Sequence, residues 1–346
     1  MIGYWFYKFK VEDRDIGVVD YESLEISDNN LFPVVSFCFW DIFLTDKFPS
    51  NDSKIDKSQY LSYLNGELYD EVYEKIDYWK VTFDIEDYFL KGLVSWSNES
   101  GYRNDTLTFL HTESFSGPYY DGDFRKCFEI SSDIHLHRHV KEIDLVYNMT
   151  ALLDDLKSEY PVDIFYNVHN SGQFLLAPND PNWWTIDDGG QSIDIWIEHV
   201  EFLRSRNSAK RTCIPPNKDV SYDSMVANTH VNHVGCRHPY IKPYRDYKLC
   251  KTQEKLKSGS YSFNKIRKRY LPISCERFSR LSYQPETTYL ESNATWGFSI
   301  MYPDYAEVIT QSKEVDIHQL IGNIGGYVGL FLGKYLALIY QFHTLF

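Results

Sequence analysis

The chain has 346 residues, with 35 basic side chains against 49 acidic ones and a net charge of −14. That length can hold one large domain or two ordinary ones with a sizeable core. The acidic balance argues against a nucleic-acid partner, because neutralising phosphates needs a basic surface.

Residues 1–30 read as a charged, extended lead-in. Their apolar patch, "MIGYWFYKFK", is too short for a signal-peptide core or a membrane span. "LFPVVSFCFW" (Leu31–Trp40) is an apolar, β-branched run entered through a proline, and predicts a buried strand. Residues 59–92 carry Leu61, Leu64, Leu68, Val72, Ile76 and Trp79 at intervals of three or four, which predicts a helical part. Residues 95–125 are polar and contain Gly, Asn and Asp, so they read as loop. Strands resume at "TLTFLH" and "CFEISSDIHLHRHV", and again at the alternating runs "PVDIFYNVHN" and "SIDIWIEHVEFL", with turns at "PNDPNWW" and "DDGGQ". Residues 213–275 are irregular and hold four of the six cysteines, which predicts a disulfide-bonded subdomain. "TWGFSIMYPDYAEVITQ" reads as two strands around a Pro-Asp turn. The 28 Tyr, 22 Phe and 8 Trp fit this strand-rich pattern. The predicted fold class is therefore α+β: a β-rich body with peripheral helices and disulfides.

The cysteines are Cys38, Cys127, Cys213, Cys236, Cys250 and Cys275. None forms a C-x-x-C pair, which argues against a zinc ribbon or a thioredoxin-like site. An even count suits three disulfides in an oxidising compartment. Asn51, Asn98, Asn104, Asn148 and Asn293 each begin an N-x-[ST] sequon, the mark of a glycoprotein with a lumenal or extracellular body. Such a body needs a route across a membrane. Either a preceding segment is missing from this chain or the C-terminal segment acts as a late anchor, and the first is the expectation adopted.

The C-terminal segment, Leu320–Tyr340, spans 21 residues and carries one charge, Lys334. At ~1.5 Å per residue it is about 31 Å long, close to the hydrocarbon thickness of a bilayer. Glycines 322, 325, 326, 329 and 333 disfavour a soluble helix and form small-xxx-small pairs, the pattern by which membrane helices approach closely. The expectation is a transmembrane helix in an oligomeric pore or bundle. There Lys334 faces water or a partner carboxylate; the alternative is snorkelling to an interface, which a mid-span position makes harder.

These residues carry a family likeness. "NIGGYVGLFLG" (Asn323–Gly333) resembles the start of the second membrane span of the degenerin/epithelial sodium channel family, the amiloride-sensitive and acid-sensing channels. "LFPVVSFC", "RKCFEI", "SIDIWIEHVEFLRS", "GCRHPY" and "LPISC" resemble further elements of that family, in its order, over residues 31–341. The resemblance implies residues 1–30 as a lead-in after a missing first span, 31–316 as the extracellular domain, and 317–346 as the second transmembrane segment. It implies the disulfides Cys38–Cys127, Cys213–Cys275 and Cys236–Cys250. It places Gly329, Gly333, Lys334 and Tyr335 at the pore and selectivity filter, and Gly322, Gly325 and Gly326 in span packing. The implied function is a subunit of a trimeric, ligand- or force-gated, sodium-selective channel in the plasma membrane. Its partners would be sodium ions, membrane lipid and related subunits in a homo- or heterotrimer. The alternative is a non-conducting, single-pass, receptor-like ectodomain or modulatory subunit. The chain departs from the family pattern where the filter serine is replaced by Tyr335 beside Lys334, and where Gln341 stands at an acidic position. A ring of three lysines facing the pore would oppose sodium. A hetero-oligomer, a lysine turned from the axis, or a decayed copy would each accommodate it.

Other clusters have bland readings beside sharp ones. His135, His137 and His139 share a strand face, as a metal or pH site or merely a solvated surface. His230, His233, Cys236 and His238 imitate a zinc set, but a cysteine held in a disulfide is no ligand. Asp84, Glu86 and Asp87 are either proton-sharing carboxylates or a solvated helix end. No nucleophile–base pair, P-loop or dinucleotide fingerprint is present, so no enzyme activity, cofactor or resident metal is expected.

Overall fold

In the computed structural model, fifteen strands among the described residues form two large sheets and one short pair. The described residues are 2–24, 31–40, 42–48, 57–98, 101–107, 112–118, 124–130, 139–158, 162–170, 182–186, 189–208, 212–214, 222–242, 247–258 and 273–344.

The larger sheet is organised by β10 (Gln191–Arg204). Its alternation leaves Ile193, Ile195 and Ile197 buried and Trp196 and Glu198 exposed, as a half-buried strand requires. β13 (Glu276–Tyr289) runs antiparallel along its length. The other edge is shared by β14 (Thr295–Met301), parallel at residues 191–196, and β15 (Tyr305–Lys313), parallel at 201–204. The predicted Pro-Asp turn is therefore a jog between two strands running the same way, not a hairpin. Beyond β14 lie β7 (His139–Asn148), β3 (Phe89–Asn98) and β4 (Gly101–Leu107). Beyond β15 lies the edge strand β1 (Asp15–Ser23), antiparallel with Asp15 opposite Lys313.

The second sheet has the order β5-β6-β2-β8-β9: β2 (Pro33–Phe39), β5 (Thr112–Pro118), β6 (Phe124–Ile130), β8 (Val162–Asn170) and β9 (Asn182–Ile186). β2 and β6 are buried along their whole length, which is why β2 reads as a continuous apolar run. The sheets meet through aromatic rings: Trp296 of β14 is fully buried, stacks on Tyr147 at 4.8 Å and meets Phe39 of β2 edge-on at 5.8 Å.

Four expectations are corrected. Residues 59–92 are not one helix. They break into α2 (Lys57–Leu64), α3 (Glu71–Glu74), α4 (Tyr78–Val81) and a 3₁₀ turn (Ile85–Tyr88) before β3 begins. Gly66 takes φ +70° after α2, and Asp70, Asp77 and Asp84 each accept a backbone N–H two residues on, restarting the chain at seven-residue intervals. Residues 95–125 are largely strand: β3 turns into β4 at Gly101 (φ +111°), and β5 pairs β6. β4 is an exposed edge, so its polar side chains carry no core pattern. Residues 1–30 are no simple extended lead-in: α1 (Ile2–Tyr7) continues into a π-helical turn (Lys8–Glu12) before β1. The "PNDPNWW" turn likewise gives way to β9 at Asn182.

The 213–275 part holds the parallel pair β11 (Cys213–Ile214) and β12 (Ile273–Ser274) and helix α6 (Tyr222–Val234). α5 (Met149–Leu156) is capped by Asn148, whose side chain accepts from Ala151 N at 3.0 Å. The last element, α7 (Ile317–Thr344), has 28 residues. No helix among the described residues is long and apolar enough to cross a membrane. In α7 the five glycines, Asn323 and Lys334 dilute an otherwise apolar run. Three disulfides join Cys38 to Cys127, Cys213 to Cys275 and Cys236 to Cys250, the same pairs that the family resemblance implies.

Candidate functional site

The pairing of β1 with β15 brings together two helices from opposite ends of the chain. α1 and its π-helical turn enter β1, β15 leaves into α7, and α1 packs against α7. A collar of charge closes this junction. Lys8 Nζ meets Glu314 Oε1 at 2.9 Å. Asp13 Oδ1 takes Arg206 Nη2 at 2.7 Å and Lys313 Nζ at 3.5 Å, and Arg206 Nε lies 2.6 Å from Asp15 Oδ1. One strand further, Arg204 grips Glu22 with both terminal guanidinium nitrogens, Nη2 donating to Oε2 at 2.8 Å. Asp13 sits at φ +41°, the left-handed turn that swings the chain from helix into strand. These ion pairs join the ends of both helices to the large sheet.

Apart from its contact with α1, α7 is largely uncovered. Ile321, Leu330, Phe331, Leu332, Leu336, Leu338 and Ile339 are all exposed, and a side chain placed at any of Gly322, Gly325, Gly326, Gly329 or Gly333 would meet nothing within 4 Å. At 3.6 residues per turn the five glycines fall on one stripe about 100° wide. Lys334 projects about 130° round the helix from the centre of that stripe. Tyr335 is exposed on a different face again.

A second feature is a cavity of about 490 Å³ on the large sheet, between β3, β7, β10, β13 and β14. Glu142, Asp144 and Asp194 line it with Ser192, Thr288 and Ser299. Ser299 Oγ donates to Glu142 at 3.3 Å and Thr288 Oγ1 to Asp194 at 3.3 Å. Burial, and then the neighbouring Asp144 carboxylate, raise the pKa of Glu142. Burial raises that of Asp194, with the Thr288 hydrogen bond opposing. Glu142 and Asp144 share one face of β7, but Asp194 comes from β10, so no spacing in the sequence brings all three together.

The other sequence candidates are dispersed. Asp84 caps the 3₁₀ turn, and Glu86 and Asp87 lie in its first turn. Asn104 and Asn293 are exposed, Asn148 is half-buried at the α5 cap, and Asn98 ends β3. Asn51, His135 and His137 lie outside the described residues. His230 and His238 are fully buried, with His230 Nε2 3.3 Å from His238 Nδ1. Cys236 is in a disulfide, and with the bridges closed no group of three or more His, Cys, Asp or Glu among the described residues is placed to hold a metal. Sequence reasoning missed Lys126, buried at 1% exposure among Trp79, Phe83 and Phe128. Its strand "FRKCFEI" alternates imperfectly, and that charge inside an apolar run was the available signal.

No protein-family model and no curated protein matches the chain. Among solved structures the chain is similar to a proton-activated chloride channel determined by cryo-EM, with 9% identity, a TM-score of 0.26, and coverage of 98% of this chain and 88% of that one. A likeness at that level carries no argument for a shared fold or activity.

Proposed function

We propose that the chain is a subunit of a trimeric, ligand- or force-gated cation channel of the degenerin/epithelial sodium channel type, working by permeation rather than catalysis. The observation that carries this is the β1–β15 pairing: it sets α1 and α7 side by side under one sheet, clasped by Lys8–Glu314 and the Asp13–Arg206–Lys313 cluster. A membrane pore worked by an extracellular body needs such a junction, where strain in the sheet reaches both helices. In this reading α7 enters the bilayer only in company. Copies packed on the glycine stripe cover the apolar residues that flank it, such as Leu332 and Leu336, and leave Lys334, about 130° from the stripe's centre, pointing away from that contact. The body is extracellular, and the sequons carry glycans. Sodium selectivity and amiloride sensitivity are expectations of the family resemblance alone.

A modulatory or receptor-like role is favoured by one specific observation: Lys334 stands as a charge within the apolar run of α7, where a conducting sodium path is opposed by a cation. Whole-cell recording from the full-length protein at the cell surface, under acid pulses, peptides and stretch, separates the two. A current whose reversal follows sodium, in the native chain or after Lys334→Ala, supports the channel. Silence of both at confirmed surface expression supports the second reading.

A further inference from the structure

His230, on α6, and His238, just past it, are both completely buried. His230 Nε2 lies 3.3 Å from His238 Nδ1, and Cys250 Sγ lies 3.7 Å from the same Nδ1. In a tetrahedral zinc site with Zn–N near 2.05 Å and Zn–S near 2.3 Å, two ligand nitrogens stand about 3.3 Å apart and a nitrogen and a sulfur about 3.5 Å. The His230–His238 and His238–Cys250 separations already match edges of such a tetrahedron. Cys236, the fourth corner, has its Cα 5.0 Å from that of Cys250, so both sulfurs can face one ion.

The orientation of His238 is the second observation. Its Nε2 is 3.2 Å from the Leu256 carbonyl oxygen. A carbonyl only accepts, so Nε2 carries the hydrogen and Nδ1 presents its lone pair toward His230 and Cys250. Donating the far ring nitrogen to a carbonyl is how proteins orient metal-binding histidines. Burial also keeps both rings neutral, the form that binds metal: it lowers the pKa of His230 to about 3 and that of His238 to about 4. A disulfide alone requires none of this.

We propose that Cys236, Cys250, His230 and His238 form a tetrahedral Cys₂His₂ zinc site when the Cys236–Cys250 bridge is reduced, so that bridge and metal are alternative states of one locus. Reduction by a dithiol breaks the S–S bond, adds two electrons and two protons to give two thiols, and leaves the dithiol as a disulfide. Zinc then forms two Zn–S and two Zn–N bonds, and the two thiol protons pass to solvent. His230 shifts its hydrogen from Nε2 to Nδ1 to free the ligand lone pair. Either state staples α6 to the segment around Leu256, so the subdomain keeps a cross-link in both.

The test uses the full chain in detergent, with Co²⁺ as the probe, added before reduction by tris(2-carboxyethyl)phosphine. That reagent takes oxygen from water as it is oxidised and does not compete as a dithiol would. The expected result is one tetrahedral cobalt per chain, with thiolate-to-cobalt charge-transfer bands that Zn²⁺ abolishes and that never appear with the bridge intact. Loss of the bands in His230→Ala and His238→Ala, with retention in His233→Ala, supports the assignment. Zinc-dependent protection of Cys236 and Cys250 from alkylation, mapped by mass spectrometry, gives a readout even where the reduced apo chain loosens. Absence of the bands from the reduced native chain, their survival in both histidine variants, or protection of other cysteines instead would overturn it.

Discussion

Lys8 and Glu314 stand 306 positions apart in the sequence and meet at 2.9 Å. Their ion pair ties the start of the chain to the segment entering α7, and it is part-buried beside the Asp13–Arg206–Lys313 cluster. In a double-mutant cycle of Lys8→Ala and Glu314→Ala the coupling should be favourable but small, weakening with added salt. If the junction gates the helices, the same coupling should appear in the midpoint of activation. Unfolding and activation midpoints measured on the four proteins check both.

Trp296 is the hub of the interface between the sheets, with Tyr147, Phe39, Phe298 and Trp184 around it. Trp296→Ala should cost about 3–5 kcal/mol, since the surrounding rings cannot collapse into the space left. Its indole nitrogen has no hydrogen-bond partner, so Trp296→Phe should lose packing only, under about 2 kcal/mol. Denaturant unfolding with the disulfides intact measures both.

Lys126 donates to Thr82 Oγ1 at 3.3 Å and to the Phe83 carbonyl, and burial lowers its pKa to about 8 from 10.5. The folded value lies below the unfolded one, so folding disfavours the proton at neutral pH. Stability should rise as pH climbs from about 8 toward 10.5. Above pH 10 the buried hydroxyls of Tyr60, Tyr147 and Tyr240, which burial keeps protonated, act in the opposite sense. Lys126→Met should abolish the rise and stabilise the protein by about 1–2 kcal/mol at pH 7. A pH series of unfolding midpoints, native against variant, shows whether it does.

On the acid side, burial lowers the pKa of His169 to about 4, of His230 to about 3 and of His238 to about 4. Each is neutral in both states above pH 6.5 and protonates first in the unfolded chain. Stability should therefore fall as pH drops from 6.5 to 4, by up to about 1.4 kcal/mol per pH unit for each proton. Glu142 and Asp194, whose pKa values are raised, oppose this fall because the folded chain takes up their protons first. His169→Gln, which can keep a hydrogen bond to Ser36, should make the slope shallower by one proton. Unfolding midpoints between pH 7 and 4 give the slope.

Local signals were legible where one element faces one environment. The alternation of Ile193, Ile195 and Ile197 marks β10, and the unbroken run Pro33–Phe39 marks a strand covered on both faces. The same period misled over residues 59–92, where the apolar spacing is helical but Asp70, Asp77 and Asp84 divide it. The caps were visible as a seven-residue repeat of aspartate, yet capping competes with propagation only locally, and spacing alone does not say which wins. Residues 101–107 hid a strand because an exposed edge selects no apolar face.

By itself the sequence determined the strand-rich α+β class, the buried runs and the glycine stripe of α7, because side-chain period and backbone freedom are properties of neighbouring residues. The tertiary structure alone decided that β1 pairs β15, that β10 shares one edge between β14 and β15, that Glu142 and Asp194 line one cavity, and that His230 and His238 meet beside a disulfide. These are choices of register and packing between segments as far as three hundred residues apart. They are settled by how two sheets bury a common aromatic core, a global balance that no local pattern contains.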